Sequence, residues 1–157
     1  MKLKQDSPGV YIPPPLMYVL IFIAAILIQK KIRINDSLFN LQITKAIGII
    51  LLIISFFFLV TSLTKFFKSK NTLIPFKPAS SLQTNGIYSI SRNPMYVGLA
   101  IVYLGITCLA GNWWNIILFP LLLLIIQESI IKPEEKYLER AFKDAYFNYK
   151  KRVRRWL

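Results

Sequence analysis

An arginine at the boundary between a polar loop and an apolar segment is the first side chain in this sequence that could do chemistry. Arg92 is followed by Asn93 and Pro94, and proline is favoured at the first position of an α-helix. Backbone N–H groups at a helix start are unpaired and can bind an anion, and a guanidinium adds a fork of donors that fits a carboxylate. The pattern predicts an anion site. The alternative is Asn93 as an ordinary helix cap, with Arg92 on a lipid phosphate.

Two adjacent carboxylates form the second candidate. Glu134 and Glu135 follow Pro133, which predicts the start of a helix with acids at its positive end. Such a pair could bind an ammonium group or ribose hydroxyls, although acids also occur at helix starts for the sake of the dipole alone. Glu135 shares a helical stripe with Leu138 and Phe142, so we expect it to face whatever that stripe packs on. It is the stronger candidate of the two.

A carboxylate close to the end of an apolar segment is the third candidate. Glu128 follows Gln127 and the uncharged run 113–126, and an acid inside a membrane is costly enough to suggest a function. Glu128 could instead pair with a nearby lysine or with Arg92 near the interface. Two other interpretations of the chain therefore stay open here: a small four-helix transporter that uses Glu128, and a membrane scaffold without catalytic activity.

Long apolar runs must position these residues. The chain has 157 residues, of which 55% are hydrophobic, and its mean hydropathy is +0.49. The run 46–63 carries no charge over about the length that crosses a hydrocarbon core of roughly 30 Å. Shorter uncharged runs cover residues 16–28, 95–110 and 113–126. We therefore predict an all-α integral membrane protein with about four transmembrane helices and a C-terminal amphipathic helix.

The chain is predicted to form a single domain over residues 1–157, in two parts. Residues 1–68 are predicted to form an N-terminal helical hairpin, and residues 69–157 a loop, a second hairpin and the C-terminal helix. The loop 69–94 combines proline, serine and asparagine with many apolar side chains, so we predict that it packs as a lid or a wall of the site. The spacing of Leu138, Phe142, Ala145 and Tyr149 predicts an amphipathic helix that begins at Pro133.

The basic residues predict the orientation of the chain and its surroundings. The net charge is +13, and sixteen of the 20 lysines and arginines fall in the segments that would share one side with the N-terminus. By the positive-inside rule, both termini and the site are predicted to be cytoplasmic. Basic residues beside apolar spans favour membrane lipids over nucleic acid as partners. The sequence has no histidine and a single cysteine, which excludes an internal disulfide and a zinc site of histidines and cysteines, and no metal is expected.

Taken together, the motifs resemble the membrane methyltransferase superfamily that includes isoprenylcysteine carboxyl methyltransferases and phospholipid N-methyltransferases. Order and spacing agree through residues 71–157. Members of the isoprenylcysteine type carry a histidine where this chain has Asn93, whereas members of the phospholipid type can carry Asn-Pro-Met-Tyr at this place. The residues that carry the resemblance are Thr84-Asn85-Gly86-Ile87-Tyr88, Ser91-Arg92-Asn93-Pro94-Met95-Tyr96-Val97-Gly98, Pro133-Glu134-Glu135 with Leu138, then Phe142, Tyr146, Tyr149 and Val153-Arg154-Arg155-Trp156.

The resemblance implies S-adenosylmethionine as cofactor and methyl transfer to a lipophilic acceptor that enters from the bilayer. That acceptor could be an isoprenylcysteine-type carboxylate, a phospholipid amine or a small thiol. Arg92 and Glu135 are the implied catalytic residues, Gly98 would let the cofactor approach the backbone, and Tyr88 or Tyr96 could face the sulfonium. The implied cofactor-binding residues are Tyr88, Arg92, Asn93, Pro94, Tyr96, Gly98, Glu134 and Glu135.

Overall fold

The computed structural model describes residues 12–68 and 81–157, and these ranges contain helices and no strand. The prediction of an all-α protein is therefore confirmed. Single 3₁₀ turns cover Ser37–Asn40 and Gly86–Ser89. The five α-helices are α1 (Pro14–Lys31), α2 (Gln42–Lys68), α3 (Pro94–Ala110), α4 (Trp113–Ile126) and α5 (Lys132–Arg152).

Three of these helices are long and apolar enough to cross a membrane: Pro14–Lys31, the Gln42–Lys65 part of α2, and the continuous helix Trp113–Arg152. The apolar helix α3 has 17 residues, slightly below the usual transmembrane length of about 20. Large apolar side chains such as Ile53 and Phe56 point outward from α2 and are well exposed. Such surfaces suit a lipid environment, so the chain is an integral membrane protein.

The helices α4 and α5 are joined without a break, which corrects the prediction that a new helix begins at Pro133. Between them Gln127–Ile131 forms a π-helical turn, in which the Lys132 N–H donates to the Gln127 carbonyl oxygen. Pro133 has no N–H and cannot donate a helical hydrogen bond. The wider π turn just before it accommodates this gap in the backbone hydrogen bonds of the helix. Glu134 and Glu135 therefore lie inside a helix and not at the unpaired N–H groups of a helix start.

The 40 residues from Trp113 to Arg152 are about 60 Å long at the usual helical rise, roughly twice the thickness of a hydrocarbon core. The half before Lys132 is apolar and the half after it is rich in charge, so the charged half extends beyond the core. The helix bends at Lys143, whose φ of +44° is rare for a residue with a side chain. Tyr146 and Tyr149, which follow the bend, are buried.

The connections at one end of the bundle pack on each other. The Trp113 indole N–H donates to the Asn35 carbonyl oxygen at 2.9 Å, and the Trp114 indole N–H donates to the Ile32 carbonyl oxygen at 2.8 Å. The Phe39 ring meets the Trp113 ring edge to face. Because helices alternate in direction, the start of α3 and the junction of α4 with α5 lie at the opposite end, where the charged side chains collect.

Tight packing between helices fixes the position of that second end. A Cβ added at Gly105 of α3 would lie 3.0 Å from the Leu52 side chain of α2, so the two helices approach closely along their length. The Tyr18 hydroxyl of α1 donates to the Tyr96 carbonyl oxygen of α3 at 3.2 Å. Leu122 of α4 is fully buried in the core that α1, α3 and α4 share. The start of α3 is thus held by neighbours on two sides.

Candidate active site

A pocket lies at the charged end of the bundle, between the segment before α3 and the first turns of α5. It brings together five of the residues that the sequence singles out. Ser81, Leu82 and Gln83 also line it, so the described part of the predicted lid or wall does border the site; residues 69–80 of that loop lie outside the described residues. The five predicted residues that line the pocket are Tyr88, Arg92, Asn93, Glu134 and Glu135.

Glu135 is the centre of the site, and it is held by two arginines. Its carboxylate is 4% exposed. The Arg155 guanidinium grips both oxygens, with Nε 3.1 Å from Oε1 and Nη2 2.7 Å from Oε2. Arg92 forms an ion pair through a single nitrogen, with Nη2 3.2 Å from Oε1. Arg92 and Glu135, both predicted to face a ligand, therefore contact each other.

Arg155 is named in the sequence analysis within the motif Val153-Arg154-Arg155-Trp156 but not among the site residues. A single arginine in a basic and aromatic stretch gives no sign in the sequence that it will contact a carboxylate far away in the chain. The structure turns this stretch back onto the site: the Arg92 N–H donates to the Arg154 carbonyl oxygen at 2.9 Å. The Trp156 indole N–H donates to Gln127 Oε1 at 3.2 Å. The available signal was the motif Val153-Arg154-Arg155-Trp156, which carries part of the resemblance.

Two donor atoms of Arg92 form no hydrogen bond within the described ranges, although its guanidinium also interacts with the Tyr146 hydroxyl. The Arg92 side chain is only 8% exposed, and its Nε and Nη1 atoms are buried without a hydrogen-bond partner among the described residues. Leaving a buried donor unpaired costs about 1–3 kcal/mol, and more for a charged group. Because Arg92 also lines the pocket, these two nitrogens are the natural contact for an anionic group there.

Glu134 supplies the opposite charge. Its Oε1 accepts a hydrogen bond from the Tyr96 hydroxyl at 2.8 Å. Burial raises the pKa of Glu134 to about 7; the hydrogen bond from Tyr96 opposes that rise and the charge of Glu135 adds to it. The carboxyl group therefore changes its charge near neutral pH.

The segment before α3 is fixed by hydrogen bonds to neighbouring segments. The Tyr149 hydroxyl donates to the Tyr88 carbonyl oxygen at 2.6 Å, and burial raises the pKa of Tyr88 to about 12, which keeps its ring neutral. Asn93 occupies the N-cap position of α3, but its side chain makes no capping bond. Its Nδ2 donates instead to the Arg155 carbonyl oxygen at 3.0 Å, which corrects the alternative of an ordinary cap.

Three predicted cofactor-binding residues do not line the pocket. Pro94 is buried at the first position of α3, and Tyr96 lies in the core and reaches the site only through its hydroxyl. Gly98 faces α2, where an added Cβ would lie 2.9 Å from the Leu59 side chain. The prediction that Gly98 admits the cofactor is therefore wrong, since this glycine serves helix packing one turn away from the pocket.

Glu128, the carboxylate of the transporter interpretation, is neither buried nor alone. Its side chain is 52% exposed, and its Oε1 lies 2.6 Å from the Lys132 Nζ, one helical turn further along. This pairing is the ordinary one for an acid and a lysine four residues apart. The premise of a buried coupling acid is thus absent. Among residues 12–68 and 81–157, no group of three or more acids, cysteines or histidines is arranged to hold a metal ion.

Comparison with known proteins identifies the family to which this arrangement belongs. Residues 43–145 match the phospholipid methyltransferase family, a stretch that includes most of α2, all of α3 and α4, and the pocket residues up to Leu138. The chain belongs to the phospholipid methyltransferase family. The match ends before Arg155.

Two known proteins are similar in sequence to part of this chain. One is "Protein-S-isoprenylcysteine O-methyltransferase" of Schizosaccharomyces pombe, 43% identical over 72 residues, which cover 46% of this chain and 30% of that protein. The other is an uncharacterized protein of Haemophilus influenzae, 42% identical over 66 residues, which cover 40% of this chain and the whole of that protein. The matched stretch thus spans less than a third of the S. pombe relative. No solved structure gives a significant match.

Replacing Glu135 by glutamine should destabilise the protein by about 3–5 kcal/mol, because the buried Arg92 guanidinium and the partly exposed Arg155 guanidinium would lose their shared counter-charge. Thermal unfolding in detergent would measure the change. Glu139→Gln is the matched control, since Glu139 pairs with Lys150 on an exposed face of the same helix and should contribute at most about 1 kcal/mol. Equal shifts for the two variants would contradict a buried role for Glu135.

Proposed function

We propose that this chain is a membrane-embedded methyltransferase that uses S-adenosylmethionine and acts on a lipophilic acceptor. Membership of the phospholipid methyltransferase family supports methyl transfer as the class of reaction. The single observation that carries the proposal is a pair of buried Arg92 nitrogens without a partner among residues 12–68 and 81–157, in a pocket that Glu134 also lines. A site with such cationic donors and a carboxylate that no arginine neutralises suits a ligand that carries both charges.

The residues present fit this cofactor. Arg92 would bind the carboxylate of the methionine part, and Glu134 would bind its amino group or the ribose hydroxyls. The neutral ring of Tyr88 would lie near the sulfonium, because a cation over an aromatic face is favoured by about 0.5–2 kcal/mol. The amide of Asn93 would add polar contacts. Glu135 acts in this proposal through Arg92, which it holds in place, and not through a direct contact.

The chemistry asks mainly for alignment. S-adenosylmethionine, when bound, supplies a methyl group that its sulfonium charge already activates. The chain then has to hold the acceptor atom in line with that methyl group and to keep water away. Positioning of this kind can contribute roughly 7–11 kcal/mol to the lowering of a barrier. It needs rigid supports, and the hydrogen bonds that tie residues 88–93 to α5 and to the segment after it provide them.

The membrane explains the acceptor class. The pocket lies beside the point where the apolar half of the 40-residue helix ends, so a lipid could present its head group there while its tail stays in the bilayer. A phospholipid amine is the candidate that the family description favours, and an isoprenylcysteine-type carboxylate is the one that the S. pombe relative's name suggests. A small thiol is the third. We further propose that both termini and the pocket lie on the cytoplasmic side, because most of the basic residues fall there.

Binding of the cofactor is the first expected outcome. Purified protein in detergent with added lipid should bind S-adenosylmethionine saturably, and Arg92→Ala and Glu134→Gln should each weaken binding by on the order of tenfold or more, because each removes a charge-assisted contact. Equilibrium dialysis with labelled cofactor would measure this. Lys132→Ala is the control, since it removes a charge from the same region outside the pocket. Folded wild-type protein that binds no cofactor would rule out the proposed function.

The affinity should also depend on pH through Glu134. Below its pKa of about 7 the carboxyl group is neutral and attracts a cation poorly, so affinity should rise between about pH 6 and about pH 8. The cofactor titrates too, so the difference between wild type and Glu134→Gln isolates the carboxyl contribution. Tyr96→Phe should move the midpoint to higher pH, because the hydrogen bond that lowers the pKa is lost. A midpoint that Tyr96→Phe leaves unchanged would contradict this role for the pair.

Methyl transfer can be tested with a lipid extract and cofactor labelled in the methyl group. Wild-type protein should label a lipid product and Arg92→Ala should not. A methyl ester would release its label as methanol in base, whereas N-methyl and S-methyl groups would keep it, so base treatment separates a carboxylate acceptor from an amine or a thiol. Label that appears equally with Arg92→Ala would remove the pocket from the proposed reaction.

A further inference from the structure

We propose that Arg155 is a positioning residue, which keeps Arg92 available to the anionic group of the ligand by occupying both carboxylate oxygens of Glu135. The inference rests on the proposed function for the identity of the ligand. It concerns a residue outside the stretch that matches the family, and it starts from an imbalance in the site, where two guanidinium groups share one carboxylate.

The two arginines share that carboxylate unequally. Arg155 makes two hydrogen bonds, one to each oxygen, whereas Arg92 makes one ion pair at 3.2 Å and leaves Nε and Nη1 unpaired among the described residues. A guanidinium and a carboxylate that meet alone favour the two-pronged arrangement. Without Arg155, Arg92 would be free to take both Glu135 oxygens. A second Arg92 nitrogen would then be bonded to Glu135 and no longer available to a ligand.

Charge leads to the same conclusion. Arg92, Arg155 and Glu135 together carry one net positive charge, and Arg92 and Glu135 both line the pocket. Removing Arg155 would leave a neutral Arg92–Glu135 pair. A buried anion is attracted by a net positive cluster and gains little from a neutral pair. Arg155 therefore supplies both the geometry and the charge that an anion at Arg92 requires.

The main chain around Arg155 is held independently of its side chain. The Arg155 carbonyl oxygen accepts hydrogen bonds from Ser91 Oγ at 3.2 Å and from Asn93 Nδ2 at 3.0 Å. The neighbouring Arg154 carbonyl oxygen accepts from the Arg92 N–H. A substitution of the Arg155 side chain keeps all three bonds. Its effect on ligand binding can therefore be separated from loss of the segment itself.

The chain offers a matched control one residue away. Arg154 has the same charge and its side chain is exposed, so Arg154→Ala makes the same change in net charge without touching Glu135. Arg155→Lys keeps the positive charge but loses the paired guanidinium donors that bind both oxygens of Glu135. These variants and wild type would be compared for equilibrium binding of S-adenosylmethionine and for thermal unfolding. The Michaelis constant for the cofactor and the turnover number would be measured separately.

Arg155→Ala should weaken cofactor binding by about tenfold, as loss of a residue that orients a ligand-binding side chain commonly does. Arg155→Lys should fall between it and wild type, and Arg154→Ala should match wild type. The Michaelis constant should rise more than turnover falls. Methylguanidinium should partly restore binding to Arg155→Ala, because the Arg155 side chain is 28% exposed and its place is reachable from water. If Arg155→Ala does not fold, the difference between Arg155→Lys and wild type decides the question.

Two results would overturn the inference while leaving the proposed function intact. One is wild-type affinity in folded Arg155→Ala, and the other is an equal loss of affinity in Arg154→Ala and Arg155→Ala. If wild type binds no S-adenosylmethionine, the proposed function fails, and sulfate becomes the probe of the anion site. Sulfate that raises the unfolding temperature of wild type and not of Arg155→Ala would support Arg155 alone. Sulfate that acts equally on both, or on neither, would reject it.

Discussion

The burial of one carboxylate between two arginines is the constraint on which the charged end of this molecule depends. Removing Glu135 from water is costly, and the cost is offset only when its oxygens are fully bonded. The partners come from different parts of the chain: Arg92 precedes α3, Glu135 lies in α5 and Arg155 follows α5. The ion cluster therefore requires these three segments to meet, and their meeting forms the pocket. Fold and site are fixed here by the same contacts.

The second carboxylate has a different environment although it is adjacent in sequence. Among the described residues, Glu134 pairs with no arginine and its one hydrogen bond comes from Tyr96. The carbonyl oxygen of Tyr96 accepts a hydrogen bond from Tyr18 in the core. Successive residues of a helix point about 100° apart, so one carboxyl group meets the cationic cluster and the other meets the end of the apolar core. This explains how two neighbouring acids differ in their contacts and in proposed role: Glu135 supports Arg92, and Glu134 remains available to a ligand.

Much of the fold could be predicted from the sequence because the helices that pack in the apolar bundle appear as long uncharged runs. The uncharged runs predicted the helices, and the pattern around Arg92 and Glu134 predicted residues that do line one pocket. Predictions from local sequence patterns failed at residues whose role depends on a contact with a distant part of the chain. Pro133 signals a helix start in most sequences, but here a π turn carries the helix through it. Gly98 packs on α2, and Arg155 closes an ion cluster with residues far away in the chain. No spacing along one segment shows either contact.

The position of the site at the end of the apolar helices reconciles two solubility demands. In the proposed reaction a charged cofactor would reach the site from water and a lipid acceptor would reach it from the bilayer, and the boundary between the two media serves both. The continuous helix from Trp113 to Arg152 crosses that boundary. Its apolar half belongs to the core and its charged half carries Glu134 and Glu135. Glu134 and Glu135 follow the π turn and precede the bend at Lys143, so the same helical stretch places the pocket carboxylates directly after its apolar half. The proposed in-line transfer requires its two partners to meet at one such defined place.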